Sequence, residues 1–175
     1  EWVRKPICNQ NDRAWKLDVD SAGNVFVVGE VMSNTSNYHS ITWGSIQINY
    51  GADYETVYVV KFSNVGAIGW ALETRGQYNS RFSNPSLDVY GSKILVGLTG
   101  EQRFQFRGSS NTNWVYVENS GWENAMVVEL TNTGSMSSYD GYLIRSQKAT
   151  IDDVAWVDRG NSYPDVVAPI NHQAR

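Results

Sequence analysis

The residues that most enzymatic and metal chemistry depends on are scarce in this chain. Among 175 residues there is one cysteine, Cys8, and there are two histidines, His39 and His172. A single thiol excludes an internal disulfide framework and a multi-thiolate metal site, and it leaves the redox compartment open. Cys8 reads as a small buried hydrophobe. His39 lies in a Ser- and Asn-rich stretch and His172 among the last few residues, neither beside a partner motif. The chain has no Gly-x-Ser-x-Gly elbow, no His-Glu-x-x-His, no Cys-x-x-Cys and no phosphate loop. No catalytic residue, metal ligand or cofactor is therefore assigned, and the expectation is a protein that is not an enzyme. Long apolar runs are lacking too, since none approaches the roughly 18 residues of a membrane span. The first residue is Glu1 rather than the start of a signal segment, so the chain is expected to be processed, truncated or read out of a longer precursor.

Charge is sparse. Asp, Glu, Lys and Arg make up 18% of residues with a net charge of −4, the wrong sign for a phosphate-neutralising surface, and nucleic acid is not an expected partner. Aromatic content is high instead, at 13%, with seven Trp and ten Tyr. Together with 41% hydrophobic residues this excludes intrinsic disorder and a coiled coil, and the length fits one domain over 1–175.

Short apolar or alternating runs between Gly, Asn and Ser clusters predict strands throughout: Trp15 to Val19, Val25 to Val28, Thr56 to Phe62, Ile68 to Glu73, Leu87 to Tyr90, Ile94 to Leu98, Trp114 to Val117, Ala125 to Leu130 and Val154 to Val157. Ser21–Asn24, Ser63–Gly66 and Thr131–Gly134 read as hairpin turns in which Gly or Asn takes positive φ. The order of these elements recurs. Leu17-Asp18-Val19 followed by Gly23 to Gly29 returns as Leu87-Asp88-Val89 followed by Gly91 to Gly97, with offsets of 70 at the aspartates and 68 at the second glycines. Tyr58 to Gly66 returns as Met126 to Gly134, an offset of 68. The repeats run about 17–85 and 86–153. Partial copies stand at both ends, where Val154 to Asp158 resembles an opening and Trp2-Val3-Arg4 resembles Trp70 to Glu73.

Four strands in about 69 residues is the size of a propeller blade with one long loop. On these residues the chain resembles the bacterial beta-propeller repeat, often abbreviated SBBP. The matching positions are Asp20, Gly23-Asn24, Val25 to Gly29, Val59 to Phe62, Gly66 and Trp70. Departures are Tyr58 for Phe, Thr56 for Asp, Glu129 for Lys, and Ser138 beside Tyr139 where Trp is expected. The resemblance implies an all-β chain of four-stranded antiparallel blade-like sheets in an incomplete β-propeller-like array, with a β-sandwich as the alternative. It also implies an extracellular or cell-surface location. Two repeats do not close a propeller, which takes four to eight blades. The exposed edges then call for a longer chain, an oligomer, or sheets packed on one another. A strand at Trp2 is expected to complete a blade begun at the C-terminal end or in a neighbouring subunit.

Asp18 and Asp20, two apart on a strand and roughly 7 Å from each other, have the spacing for acid and base work on a sugar, but Asp20 precedes a turn that its carboxylate can cap. Asp152-Asp153 reads as solvated. Arg103 to Arg107 interleaves basic and aromatic residues, and its period of two predicts an ordinary strand with Phe104 and Phe106 buried. Tyr38, Trp43, Tyr50, Trp114 and Trp122 lie in polar stretches and, with Trp2, are the expected contact residues, either for copies of this chain or for glycans. Asn34-Thr35-Ser36 fits the glycosylation acceptor. The function expected is a structural, self-associating module that builds an oligomer, surface layer or filament, with a carbohydrate-binding module as the alternative.

Overall fold

The computed structural model describes residues 1–8, 11–32, 39–50, 55–76, 82–101, 104–108, 116–117, 123–134, 136–144, 149–157 and 165–172. The described chain is all-β without helix, in several antiparallel sheets of which none closes into a barrel. The strands are β1 (Ile7–Cys8), β2 (Asn11–Val19), β3 (Val25–Met32), β4 (His39–Trp43), β5 (Ile46–Tyr50), β6 (Glu55–Phe62), β7 (Ile68–Gly76), β8 (Phe82–Tyr90) and β9 (Lys93–Glu101). They continue with β10 (Phe104–Gly108), β11 (Tyr116–Val117), β12 (Glu123–Thr131), β13 (Met136–Ile144), β14 (Ala149–Ile151), β15 (Ala155–Val157), β16 (Asp165–Val167) and β17 (Ile170–His172).

The first main sheet has the order β11-β10-β7-β6-β3-β2 and the second β13-β12-β9-β8. A three-stranded sheet β1-β4-β5 and the pairs β14-β17 and β15-β16 make up the rest. The three turns read from the sequence are present, with Gly23, Gly66 and Gly134 at φ of 79°, 77° and 75°. Alternation along β3 and β6 sends Phe26, Val28, Val57 and Val59 to one face and Val25, Val27, Tyr58 and Val60 to the other. The first set packs against Leu87, Ile94, Val96, Leu98, Met126, Val128 and Leu130 of the second sheet, which makes the largest core cluster. Behind the second sheet, Leu95, Ala125 and Val127 pack with Ile151 and Val154. Each fully buried side chain of this size contributes about 1.5–3 kcal/mol.

Strand registers correct the sequence comparison in one respect. Val19 pairs with Val25, Val89 with Ile94, Val25 with Phe62 and Ile94 with Leu130, so β9 corresponds to β3 at an offset of 69, not 68. Gly97 thus stands where Val28 does, and Leu98 where Gly29 does. A slip of one residue reverses every face, and matching the two glycines would have turned Ile94 and Val96 away from the core they fill.

The β4–β5 hairpin was absent from the expected strands, whereas β10 overlaps the strand expected over Arg103 to Arg107. β4 and β5, joined at Gly44, carry the alternating Ile41, Trp43, Ile46 and Ile48 within a Ser- and Asn-rich region. β10 lies between β9 and β12 in sequence yet pairs with β7 of the first sheet. Residues 1–6 form no strand, contrary to the expectation for Trp2 to Arg4, and among the described residues they do not pair with the C-terminal strands.

Candidate assembly face

Equivalent registers in the two main sheets differ sharply in exposure. Leu87 pairs with Val96 and Val89 with Ile94, and the first sheet covers them so well that Leu87, Ile94 and Val96 are at 0% exposure. In the first sheet the same places are held by Leu17 with Val27 and Val19 with Val25. There Leu17 is 61% and Val19 47% exposed, and Val25 and Val27 are half-buried. The outer half of that face is closed by Trp2, Cys8, Ile41, Trp43, Ile46 and Ile48. Among the described residues, an apolar strip along β2 and β3 is left open.

Trp2 and Trp70 occupy matching seats. Trp2 donates from Nε1 to the Asn64 carbonyl at 3.0 Å and lies on Gly66, and Arg4 Nε donates to the Gly66 carbonyl. Trp70 donates to the Asn132 carbonyl at 2.9 Å and lies on Gly134. Trp2 is further packed on Phe62, with ring centroids 5.8 Å apart. Both indoles need a turn without a side chain beneath them, which the two glycines provide while also taking the positive φ of the turn.

Three carboxylates tie backbone segments together. Asp18 Oδ2 accepts from Val89 N at 2.7 Å, and Asp88 Oδ2 accepts from Trp156 N at 2.5 Å, so each clamps the first strand of its sheet to the next strand beyond. Asp20 caps its turn, accepting from Ala22 N and Asn24 N, and also accepts from Asn132 Nδ2 of the second sheet. Burial acts to raise the Asp20 carboxyl, and hydrogen bonds from Asn24, Asn132 and Ala22 outweigh that and hold it low. Glu30, 3.8 Å from Arg13, is pushed up by burial, which outweighs the lowering by the Trp15 and Arg13 side chains. No group of three His, Cys, Asp or Glu among the described residues is placed to hold a metal.

Asp88 is raised above the ordinary 3.8, first by burial and further by the neighbouring Asp18 carboxyl, against the hydrogen bond from Trp156. A raised carboxyl contributes stability that is complete below the ordinary value and is lost as pH climbs through the folded one. Asp88→Asn keeps an oxygen for Trp156 N and removes the charge. The variant is expected to melt at the parent's temperature near pH 4 and about 2 °C above it at pH 7. Calorimetry at the two pH values checks this, and a variant less stable than the parent at pH 7 contradicts it.

Of the contact residues expected from sequence, Trp2 is engaged within the chain, and Trp43 is a core residue at 6% exposure, packed on Tyr58 and Phe62. Trp43 is thereby closed to a glycan, while Trp2 stays half-buried. Polar neighbours mask the alternation of Trp43 with Ile41, and so its sequence surroundings resemble a loop. Tyr38, Trp114, Trp122 and Asn34 lie outside the described residues, as do the side chains of Tyr50, Phe104 and Phe106. Asp152 and Asp153 are exposed, and Asp153 pairs with Lys16. Leu17 and Val19 were legible as strand residues, but nothing local marks their face as the uncovered one. No helix among the described residues is long and apolar enough to cross a membrane. No protein-family model, curated protein or solved structure matches the chain.

Proposed function

We propose that this chain is a structural assembly module, built from blade-like sheets stacked face to face, which self-associates through an apolar sheet face and strand edges. The reading assigns it no catalytic role. The resemblance to the bacterial beta-propeller repeat supports both the blade character and a place outside the cell or at its surface. The observation that carries assembly is the contrast between Leu17, at 61% exposure, and Leu87, at 0%, in the same register of successive sheets. A face that is core in one sheet is surface in the other, and covering it removes apolar area from water at about 25 cal/mol per Å².

Light scattering over a concentration series tests the reading. The expected result is a particle heavier than the 19.6 kDa chain, with mass rising with concentration. A monodisperse 19.6 kDa particle up to the highest concentration overturns it.

A further inference from the structure

Resting on that assembly reading, we propose that the open strip of the first sheet receives the C-terminal strands of a second copy of this chain, head to tail. Residues 1–8, of which only Ile7–Cys8 is a strand, hold the place of an outermost strand in a sheet set before the first one. Trp2 sits on Gly66 as Trp70 sits on Gly134. Cys8 pairs with Ile41 in β4, as Gly76 at the end of β7 pairs with Phe104 in β10. Among the described residues nothing stands in the place of that sheet's inner strands, over Leu17 and Val19.

Inner strands are what the C-terminal unit consists of. Trp156 N is held by Asp88 as Val89 N is held by Asp18, which gives β15 the place of a first strand beyond the second sheet. Val154 is buried at the corresponding position to Leu87. Trp156, Val166 and Ala168 face the second sheet. The other face carries Ala155 paired with Val167, in the place that Asp18 with Phe26 and Asp88 with Leu95 hold in the two main sheets. Phe26 and Leu95 are the residues by which each main sheet packs on its successor in the stack, and Val167 stays 43% exposed.

The tail is fixed on the far side of the second sheet, so the strip at the head of the same chain is beyond its reach. A second copy has no such restriction. The missing carboxylate at Ala155 fits as well, because Val19 N, the counterpart of Val89 N, already donates to Asp18 Oδ1 at 2.7 Å. The two surfaces differ, which makes the contact heterologous and propagates a ring or a filament.

Sedimentation of Leu17→Asp and Val167→Asp tests the pairing. Both sites are exposed in the single chain, so unchanged circular dichroism and melting are expected for each. Each variant should need at least about 100-fold more protein to reach half-assembly than the parent, since a carboxylate is then buried without a partner. Mixed in equal amounts, the two should recover particles of two chains, because one brings an intact head and the other an intact tail. Assembly of either variant at the parent's concentration, or a mixture that stays monomeric, overturns the head-to-tail pairing while leaving self-association standing. A parent that never assembles removes both.

Discussion

Replacing Gly29 with alanine is expected to destabilise the protein by about 3 kcal/mol and lower its melting temperature by about 6–12 °C. A Cβ at this position would fall within 3.0 Å of the Tyr58 hydroxyl and of the Arg13 carbonyl oxygen. Neither neighbour can withdraw. Tyr58 is 1% exposed and wedged against Trp43, with ring centroids 5.7 Å apart, and the Arg13 oxygen belongs to the backbone of β2 hydrogen-bonded alongside. Tyr58→Phe in the same chain relieves only the hydroxyl contact, so the double variant should remain clearly less stable than Tyr58→Phe alone. Thermal melts of the four proteins decide the matter. A Gly29→Ala chain that melts with the parent would show that Tyr58 does not lie over this glycine.

Leu87→Ala is expected to cost about 3 kcal/mol, and Leu17→Ala less than about 0.5 kcal/mol when measured on dilute, unassembled chain. The residues share a place in successive first strands, and only the covering sheet distinguishes them. Phe26 and Val28 with their neighbours close over Leu87, whereas Leu17 at 61% exposure has little to lose on truncation. Urea titrations of both variants check the pair. Equal costs would mean that the two main sheets do not pack as described.

Strands and turns were legible because both are local. Period-two alternation marked β3, β6, β9 and β12, and Gly23, Gly66 and Gly134 marked the turns that positive φ demands. Register was less so. Gly29 and Gly97 invite alignment, yet five residues separate the paired Val19 and Val25, and four separate the equivalent pair Val89 and Ile94. The turn is one residue shorter, not two, and that single residue decides which side chains meet the core. The carboxylate clamp was visible only in half, since Asp18 and Asp88 stand out as a repeated pair while the backbone amides of Val89 and Trp156 carry no signature in a sequence. The pairing of β10 with β7 had no local signal at all, because its partner lies in a different sheet.

That crossing strand has a consequence for synthesis. The free edge of β7 is closed by β10, which comes about 30 residues later in the chain. At translation rates of about 5–20 residues per second, the first sheet emerges with its outer edge bare for about 2–6 s before its latch arrives. A nascent chain that stalls before Phe104 therefore exposes a row of unpaired amides and carbonyls, a template for mispairing with a neighbouring ribosome's product. One that has passed Gly108 does not, and protection by a holding chaperone is needed most in that interval.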